Sequence, residues 1–305
     1  VRIASLLASG TELVCALGLG DRLVGRSHEC EDPPWVRGLP QLSRPTFPID
    51  GPSGEIDRHV RERLRAGRPL YEVDEARLTE LAPDVIITQT HCEVCAVSPG
   101  DLACGVPARL QRRRVVALDG GTLETVLEGF AHVAEVLGVA AEGRALAERL
   151  RARAAAVAER VRAVARPRVA CIEWIDPVFA MGNWGPELVE LAGGVSVLGQ
   201  AAARSTTTAW EAVLASDPDV LVVAPCGFTL ERTLPEMPTL AARPGWRDLR
   251  AVRAGRVFAA DGNTYFNRAG PRLFETPEVL AEMLHPAMFE PHHRDVAWRI
   301  WASPA

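Results

Sequence analysis

Thiols, imidazoles and carboxylates gather in a few short runs of this chain. His28 and Cys30 lie in Ser27-His28-Glu29-Cys30, and His91, Cys92 and Cys95 lie in the five residues from 91 to 95. Imidazole and thiolate are soft donors that suit zinc or iron, and Cys92-x-x-Cys95 has the spacing of a chelating pair. The opposing reading is of small buried side chains behind a polar rim. No second Cys pair stands at finger spacing, and free cysteine is commonly buried. A nucleophilic Cys92 with His91 as base would need the two to meet, yet neighbours in an extended segment point to opposite faces. Glu173 and Asp176 are a candidate carboxylate pair, with hydrogen bonding and helix capping as the alternative. The sequence has no Walker A motif and no G-x-G-x-x-G after a strand, so nucleotide binding has no support.

Aromatic residues carry the second signal. Trp174, Phe179, Trp184, Phe228, Tyr265 and Phe266 fall in loop-like stretches rather than on one face of a helix. Such side chains bury about 150–250 Å² each and offer flat apolar surface to a large planar ligand; half of the six are expected to touch it. Arg268 and Arg272 can fork onto carboxylate, phosphate or amide oxygens, or pair within the fold. Asn183 and Gln89 are expected at the ligand's polar periphery, with Ser9 and Glu29 as further candidates.

The elements that position these groups follow from periodicity. Short apolar runs alternate with longer amphipathic ones, the pattern of parallel βαβ units. Strands are predicted at Ile3–Leu7, Leu23–Arg26, Val85–Thr88, Arg114–Leu118, Arg168–Glu173, Val220–Ala224 and Arg256–Ala260. Most of the reactive clusters directly follow one of these strands. In open parallel sheets ligands bind outside the carboxyl ends of the strands, so the clusters are expected to line a cleft. Helix signals flank them: Ser9-Gly10-Thr11-Glu12 fits a capping box, and Asn183 is a candidate cap before Pro186.

Landmarks recur in order. Arg2-Ile3-Ala4, Glu12-Leu13-Val14, Pro83-Asp84-Val85 and Val115 to Gly120 are echoed by Arg168-Val169-Ala170, Glu187-Leu188-Val189, Pro218-Asp219-Val220 and Val257 to Gly262. The expectation is an α/β protein of two Rossmann-like lobes, at 1–138 and 167–285, with a ligand in the cleft between them. The first lobe carries an insert of about 40 residues, roughly 25–72, rich in Pro and Gly and expected to be mostly loop. Residues 139–166 join the lobes, with a Pro-free helix of about 25 residues from Ala140, roughly 38 Å long. The tail, 286–305, shows no periodicity.

Composition narrows the function classes. The chain has 305 residues, 48% of them hydrophobic, and a net charge of −5, which gives no basic footprint for nucleic acid. Every basic residue is Arg, so no Lys nucleophile or Schiff base exists. There is neither a transmembrane-length apolar run nor a signal-peptide pattern, and seven cysteines at irregular spacing do not resemble a disulfide framework. These features favour a cytoplasmic location, with a periplasmic protein or lipoprotein whose signal was removed as the alternative.

Residues 2–12 (Arg-Ile-Ala-Ser-Leu-Leu-Ala-Ser-Gly-Thr-Glu), Leu17 to Gly25, Leu81 to Ile86, Pro186 to Gly194 and Asp217 to Val223 resemble the cobalamin- and iron-siderophore-binding proteins of ABC importers. Arg268-Ala269-Gly270-Pro271-Arg272 looks like an Arg-x-x-Pro-Arg of the cobalamin-binding members. Ser27 to Cys30, Cys92 to Cys95, Glu173 to Pro177 and Cys226 to Phe228 resemble a branch labelled cobalamin-binding. The resemblance spans about residues 1–285. It implies a class III periplasmic-binding-protein-like fold, capture of a corrinoid or metal chelate without catalysis or a required cofactor, and docking on an ABC permease. The competing expectation is a cytoplasmic Cys/His-rich metal-binding protein or a thiol-dependent enzyme on the same fold.

Overall fold

The β-branched runs become strands nearly where the sequence places them. The computed structural model describes residues 1–90, 96–97 and 114–302. Two compact units result: unit 1 comprises Val1–Gly51, Arg58–Arg149 and Ala269–Pro271, and unit 2 comprises Pro52–Asp57, Leu150–Arg268 and Arg272–Ala305.

Unit 1 contains strands β1 (Ile3–Ser5), β2 (Leu23–Gly25), β3 (Ser43–Pro45), β4 (Tyr71–Val73), β5 (Val85–Gln89) and β6 (Arg114–Leu118). The order β2-β1-β5-β6 forms one parallel sheet, and β3 pairs with β4 in a separate antiparallel ribbon. Strands β1 and β5 are wholly buried, which is why they read as continuous apolar runs rather than alternating ones. Helices α1 (Ala8–Ala16), α2 (Ser53–Arg65), α3 (Glu75–Leu81) and α4 (Leu123–Val136) follow in chain order, α2 beginning in unit 2 and ending in unit 1. The 22-residue helix α5 (Ala140–Val161) begins in unit 1 and ends in unit 2.

Unit 2 contains β7 (Arg168–Trp174), β8 (Phe179–Ala180), β9 (Val195–Ser196), β10 (Thr206–Thr207), β11 (Val220–Val223), β12 (Val257–Ala260) and β13 (Trp298–Ile300). Its sheet has the order β10-β8-β7-β11-β12-β13, with β9 parallel to the start of β7. The run β9-β7-β11-β12 is parallel and repeats the β2-β1-β5-β6 arrangement of unit 1. Its helices are α6 (Gly185–Leu191), α7 (Trp210–Ser216), α8 (Leu230–Ala241), α9 (Arg250–Arg253) and α10 (Thr276–Leu284). Ile172, Trp210, Leu221, Trp246 and Val257 belong to its core.

The repeated sequence landmarks are hydrogen-bonding devices. Asp84 accepts the Arg2 amide at 2.8 Å, and Asp219 accepts the Arg168 amide at 2.9 Å. Each aspartate's own N–H returns to the arginine's carbonyl, at 2.8 and 2.9 Å. The guanidiniums close the preceding helices, Arg2 on the Leu81 carbonyl and Arg168 on that of Ser216. Helix ends repeat as well. Gly18 and Gly193 both take φ +77°, and the amides of Leu19 and Gly194 reach back to Val14 and Val189 in Schellman closures.

Four expectations change. The capping box at Ser9 does not form, because α1 starts two residues earlier, with an extended Leu7 as its uncapped boundary, and Ser9 is inside the helix. Asn183 does not cap α6; the boundary residue is Trp184, and Asn183 adopts a left-handed φ of +48° one step before it. The insert is less irregular than its Pro content suggests, since α2 supplies 13 residues of amphipathic helix with only Ser53 and Ile56 buried. The tail is part of the fold: β13 pairs antiparallel with β12 and closes one edge of the unit 2 sheet.

Candidate functional site

The carboxyl edge of each parallel sheet collects the polar and aromatic candidates. In unit 1, β2 leads into His28, whose Nδ1 lies 3.1 Å from the Ser43 hydroxyl and whose ring sits 5.4 Å from that of Tyr71. Glu29 lies beside it, its carboxylate 4.0 Å from His28 Nε2. Cys30 points inward: its buried Sγ lies 2.9 Å from the Thr11 hydroxyl and 3.2 Å from that of Ser27. Ser9 is buried in α1, with its Cβ close behind the backbone of Gly270. Gln89, at the end of β5, is fully buried and donates its amide to the Ala96 carbonyl, an anchor for the chain leaving the strand.

His91, Cys92 and Cys95 lie outside the described residues. Among the described residues no group of three or more His, Cys, Asp or Glu is placed to hold a metal.

Unit 2 presents a different edge. Strand β7 doubles back into β8, with the turn at Asp176 and Pro177, so Glu173, Trp174 and Phe179 sit on a hairpin rather than in a loop. The Trp174 indole N–H is held by the Asp176 carbonyl at 3.0 Å, and its ring meets Phe228 edge-on at 5.3 Å. Asp176 pairs with Arg243 at 3.2 Å, so Glu173 and Asp176 are not a carboxylate pair but two separately engaged groups. Glu173 accepts the Ser205 hydroxyl, and burial pushes its carboxyl up to about 7 although that bond pulls the other way. Sequence reasoning missed Ser205, which reaches Glu173 only because the segment entering β10 packs along the β7–β8 hairpin.

The aromatic candidates divide in two. Trp184, Phe228 and Phe266 are core side chains, at most 3% exposed, and Trp184 donates to the Phe266 carbonyl at 2.8 Å. Trp174, Phe179 and Tyr265 are half-buried, and the Tyr265 ring meets that of His293 edge-on at 6.1 Å. Tyr265 lies in the π-type turn Gly262–Phe266 that follows β12, opened by Asp261 accepting the Thr264 amide. Arg268 donates to the Asn263 side chain at 2.6 Å, and Arg272 follows in the 3-10 turn Pro271–Glu275. Asn183, half-buried, gives its amide to Ala203 at 2.6 Å.

A parallel sheet edge that gathers aromatic faces and hydrogen-bonding groups, with no nucleophile aimed by a base among the described residues, is suited to holding a ligand. Residues 3–264 match the family model described as periplasmic binding protein. The chain belongs to the periplasmic binding protein family. It is therefore a binding protein rather than an enzyme, with the two-lobed α/β fold of class III members.

Relatives match over most of their length. An uncharacterized ABC transporter substrate-binding lipoprotein, YvrC of Bacillus subtilis, is 21% identical over 303 residues, covering 95% of this chain and 81% of that one. Among solved structures, a periplasmic heme binding protein from Pseudomonas aeruginosa has a TM-score of 0.70 at 20% identity, covering 94% of this chain and 93% of that one. The periplasmic vitamin B12 binding protein BtuF of Vibrio cholerae has a TM-score of 0.66 at 21% identity, covering 94% and 97%.

The family corrects the compartment. A cytoplasmic location was expected from the missing signal pattern and the odd cysteine count, but the matched family is periplasmic and the Bacillus relative is a lipoprotein. The start of this sequence does not bear on that point. Among the described residues no helix is long and apolar enough to cross a membrane.

Proposed function

We propose that this chain captures a corrinoid or a similar large metal chelate at the carboxyl ends of its parallel strands and hands it to an ABC permease. The observation that carries this reading is that the half-buried aromatics Trp174, Phe179 and Tyr265 lie on the β7–β8 hairpin and in the turn after β12, segments that also carry Glu173 and lead into Arg268. A planar macrocycle with a polar periphery suits such an edge, because stacking area and hydrogen-bonding groups are offered together. The full-length likeness to proteins described as vitamin B12 binding and heme binding supports the same ligand class.

Calorimetric titration with cyanocobalamin, aquacobalamin and hemin tests the reading. One ligand per chain, bound at about −8 kcal/mol or tighter for at least one of the three, is the expected result. Absence of binding to all three would exclude both ligand classes. Loss of binding in Trp174→Ala, with the thermal midpoint preserved, would tie the site to this edge.

A further inference from the structure

We propose, resting on the binding role above, that Asp176 is a positioning residue: anchored by Arg243 and by the first turn of α2, it fixes the Trp174 ring and thereby the affinity of this edge for its ligand. The insert in the first repeat supplies part of that anchor. Of its residues, Pro52–Asp57 belong to unit 2, while those on either side belong to unit 1.

This short piece opens α2 and is docked rather than solvated. Ser53 and Ile56 are buried. The Ser53 amide and hydroxyl both donate to the Glu236 carboxylate, at 3.2 and 2.6 Å. A carboxylate there satisfies a free N–H of the first turn and meets the positive end of the helix dipole. Gly54, next along, is a poor helix former, and it has no positive φ that would call for glycine. What calls for glycine is space: a Cβ at this position would come within 2.7 Å of Asp176 Oδ2. The start of α2 is therefore packed onto the turn of the β7–β8 hairpin.

Asp176 is held on three sides. Its Oδ2 faces Gly54. Its Oδ1 accepts from Arg243 at 3.2 Å, and the same guanidinium nitrogen donates to the Ile175 carbonyl at 3.2 Å. Its main-chain carbonyl accepts the Trp174 indole N–H at 3.0 Å, while that ring meets Phe228 edge-on. Glu236 lies on α8 and Arg243 two residues beyond its end, so one element secures both the α2 start and the hairpin turn. An ion pair as exposed as Asp176–Arg243 adds little to stability. Its effect lies in the order of the ring: a side chain fixed before binding spares the cost of ordering it, worth about two- to tenfold in affinity.

The test uses the full chain with isotope-labelled tryptophan, followed by NMR. The Trp174 indole N–H is assigned by its loss in Trp174→Phe, and in the ligand-free parent it should exchange slowly with solvent. Asp176→Ala keeps the main-chain carbonyl but removes both carboxylate contacts. It should speed exchange at this indole and weaken binding of cyanocobalamin or hemin, read by calorimetry, about two- to tenfold. Asp176→Asn, which keeps an oxygen for Arg243, should recover most of both. Gly54→Ala should act in the same direction with the thermal midpoint preserved, because alanine favours the helix, and it serves if Asp176→Ala misfolds. Unchanged Trp174 exchange in both variants, or faster exchange at unchanged affinity, would overturn the positioning role. If the parent binds neither cyanocobalamin nor hemin, the ligand reading and the affinity effect fall together, while indole exchange still decides whether Asp176 orders the ring.

Discussion

At the amino edges of their sheets the two units use the same bonds, Arg2 with Asp84 and Arg168 with Asp219, each closing the helix before the strand. At the carboxyl edges they part. Unit 1 follows β2 with His28, Glu29 and an inward Cys30 held by two hydroxyls. Unit 2 follows β7 with a hairpin that places Glu173 against Ser205 and the Trp174 ring against Phe228. The repeat is thus retained where it stabilises the fold and lost where a ligand would be read. On the proposed reading, stability and recognition sit at opposite ends of the same strands.

The comparison can be broken at its helix closures, where the largest effect is expected. Gly18 and Gly193 share φ +77°, but a Cβ on Gly18 meets nothing within 4 Å while one on Gly193 comes within 2.7 Å of Val161 and 2.8 Å of His285. Gly18→Ala should cost about 1–2 kcal/mol of left-handed strain. Gly193→Ala should cost that plus about 1–3 kcal/mol of overpacking. Equal losses in chemical denaturation would mean that the second repeat is no more tightly packed than the first.

The tail sharpens the comparison further, because it braces unit 2. Buried Glu282 accepts the His293 ring at 2.6 Å and the Trp298 indole at 2.8 Å. Burial raises the Glu282 carboxyl, but bonds from His293 and Trp298 outweigh it and hold it below the usual range; the bond to Glu282 holds His293 above its usual value. The Glu282 contribution is present above the ordinary carboxylate range and fades as pH falls through the depressed value. The His293 contribution is present below the ordinary histidine range and fades as pH rises through the raised value. Glu282→Gln should cost about 1–3 kcal/mol near pH 6, with a smaller difference from the parent at both extremes. A pH-independent cost would remove the ionic character of this brace.

A smaller effect is expected at the repeated aspartates. Asp219→Ala and Asp84→Ala should each cost about 1–2 kcal/mol, at the low end because both positions face solvent. The Arg168 amide first, and then Arg250, hold the Asp219 carboxyl below its ordinary value. Its contribution is therefore complete above the ordinary aspartate range and is lost as pH falls through the depressed value. Denaturation of both variants at pH 7 and near pH 3 would check this; a neutral Asp219→Ala would show that the motif recurs without stabilising.

Much of the fold was legible because it rests on periodicity. Arg114–Leu118 and the β7 start at Arg168 fall where the apolar runs place them, and the paired landmarks foretell the paired sheets. The tail was not legible, because β13 is a three-residue edge strand whose outward Ile300 and Arg299 carry no core pattern. Helix α2 was hidden by a charged, mostly solvated face beside a Pro-rich stretch. The site was legible only as a set of strand ends. Trp184 and Phe266 look like Trp174 and Tyr265 in sequence, and burial alone separates them. Ser205 lies 32 positions from Glu173, so only the strand pairing brings them together.

The most direct test of the account is hydrogen exchange on the full chain with and without cyanocobalamin. Protection is predicted at the segments following β7 and β12, around Glu173 to Asp176 and Asn263 to Arg268, with no change at the Asp84 and Asp219 ends of the strands. Protection at those amino ends, or no protection anywhere with ligand at saturating concentration, would contradict a binding edge at the strands' carboxyl ends.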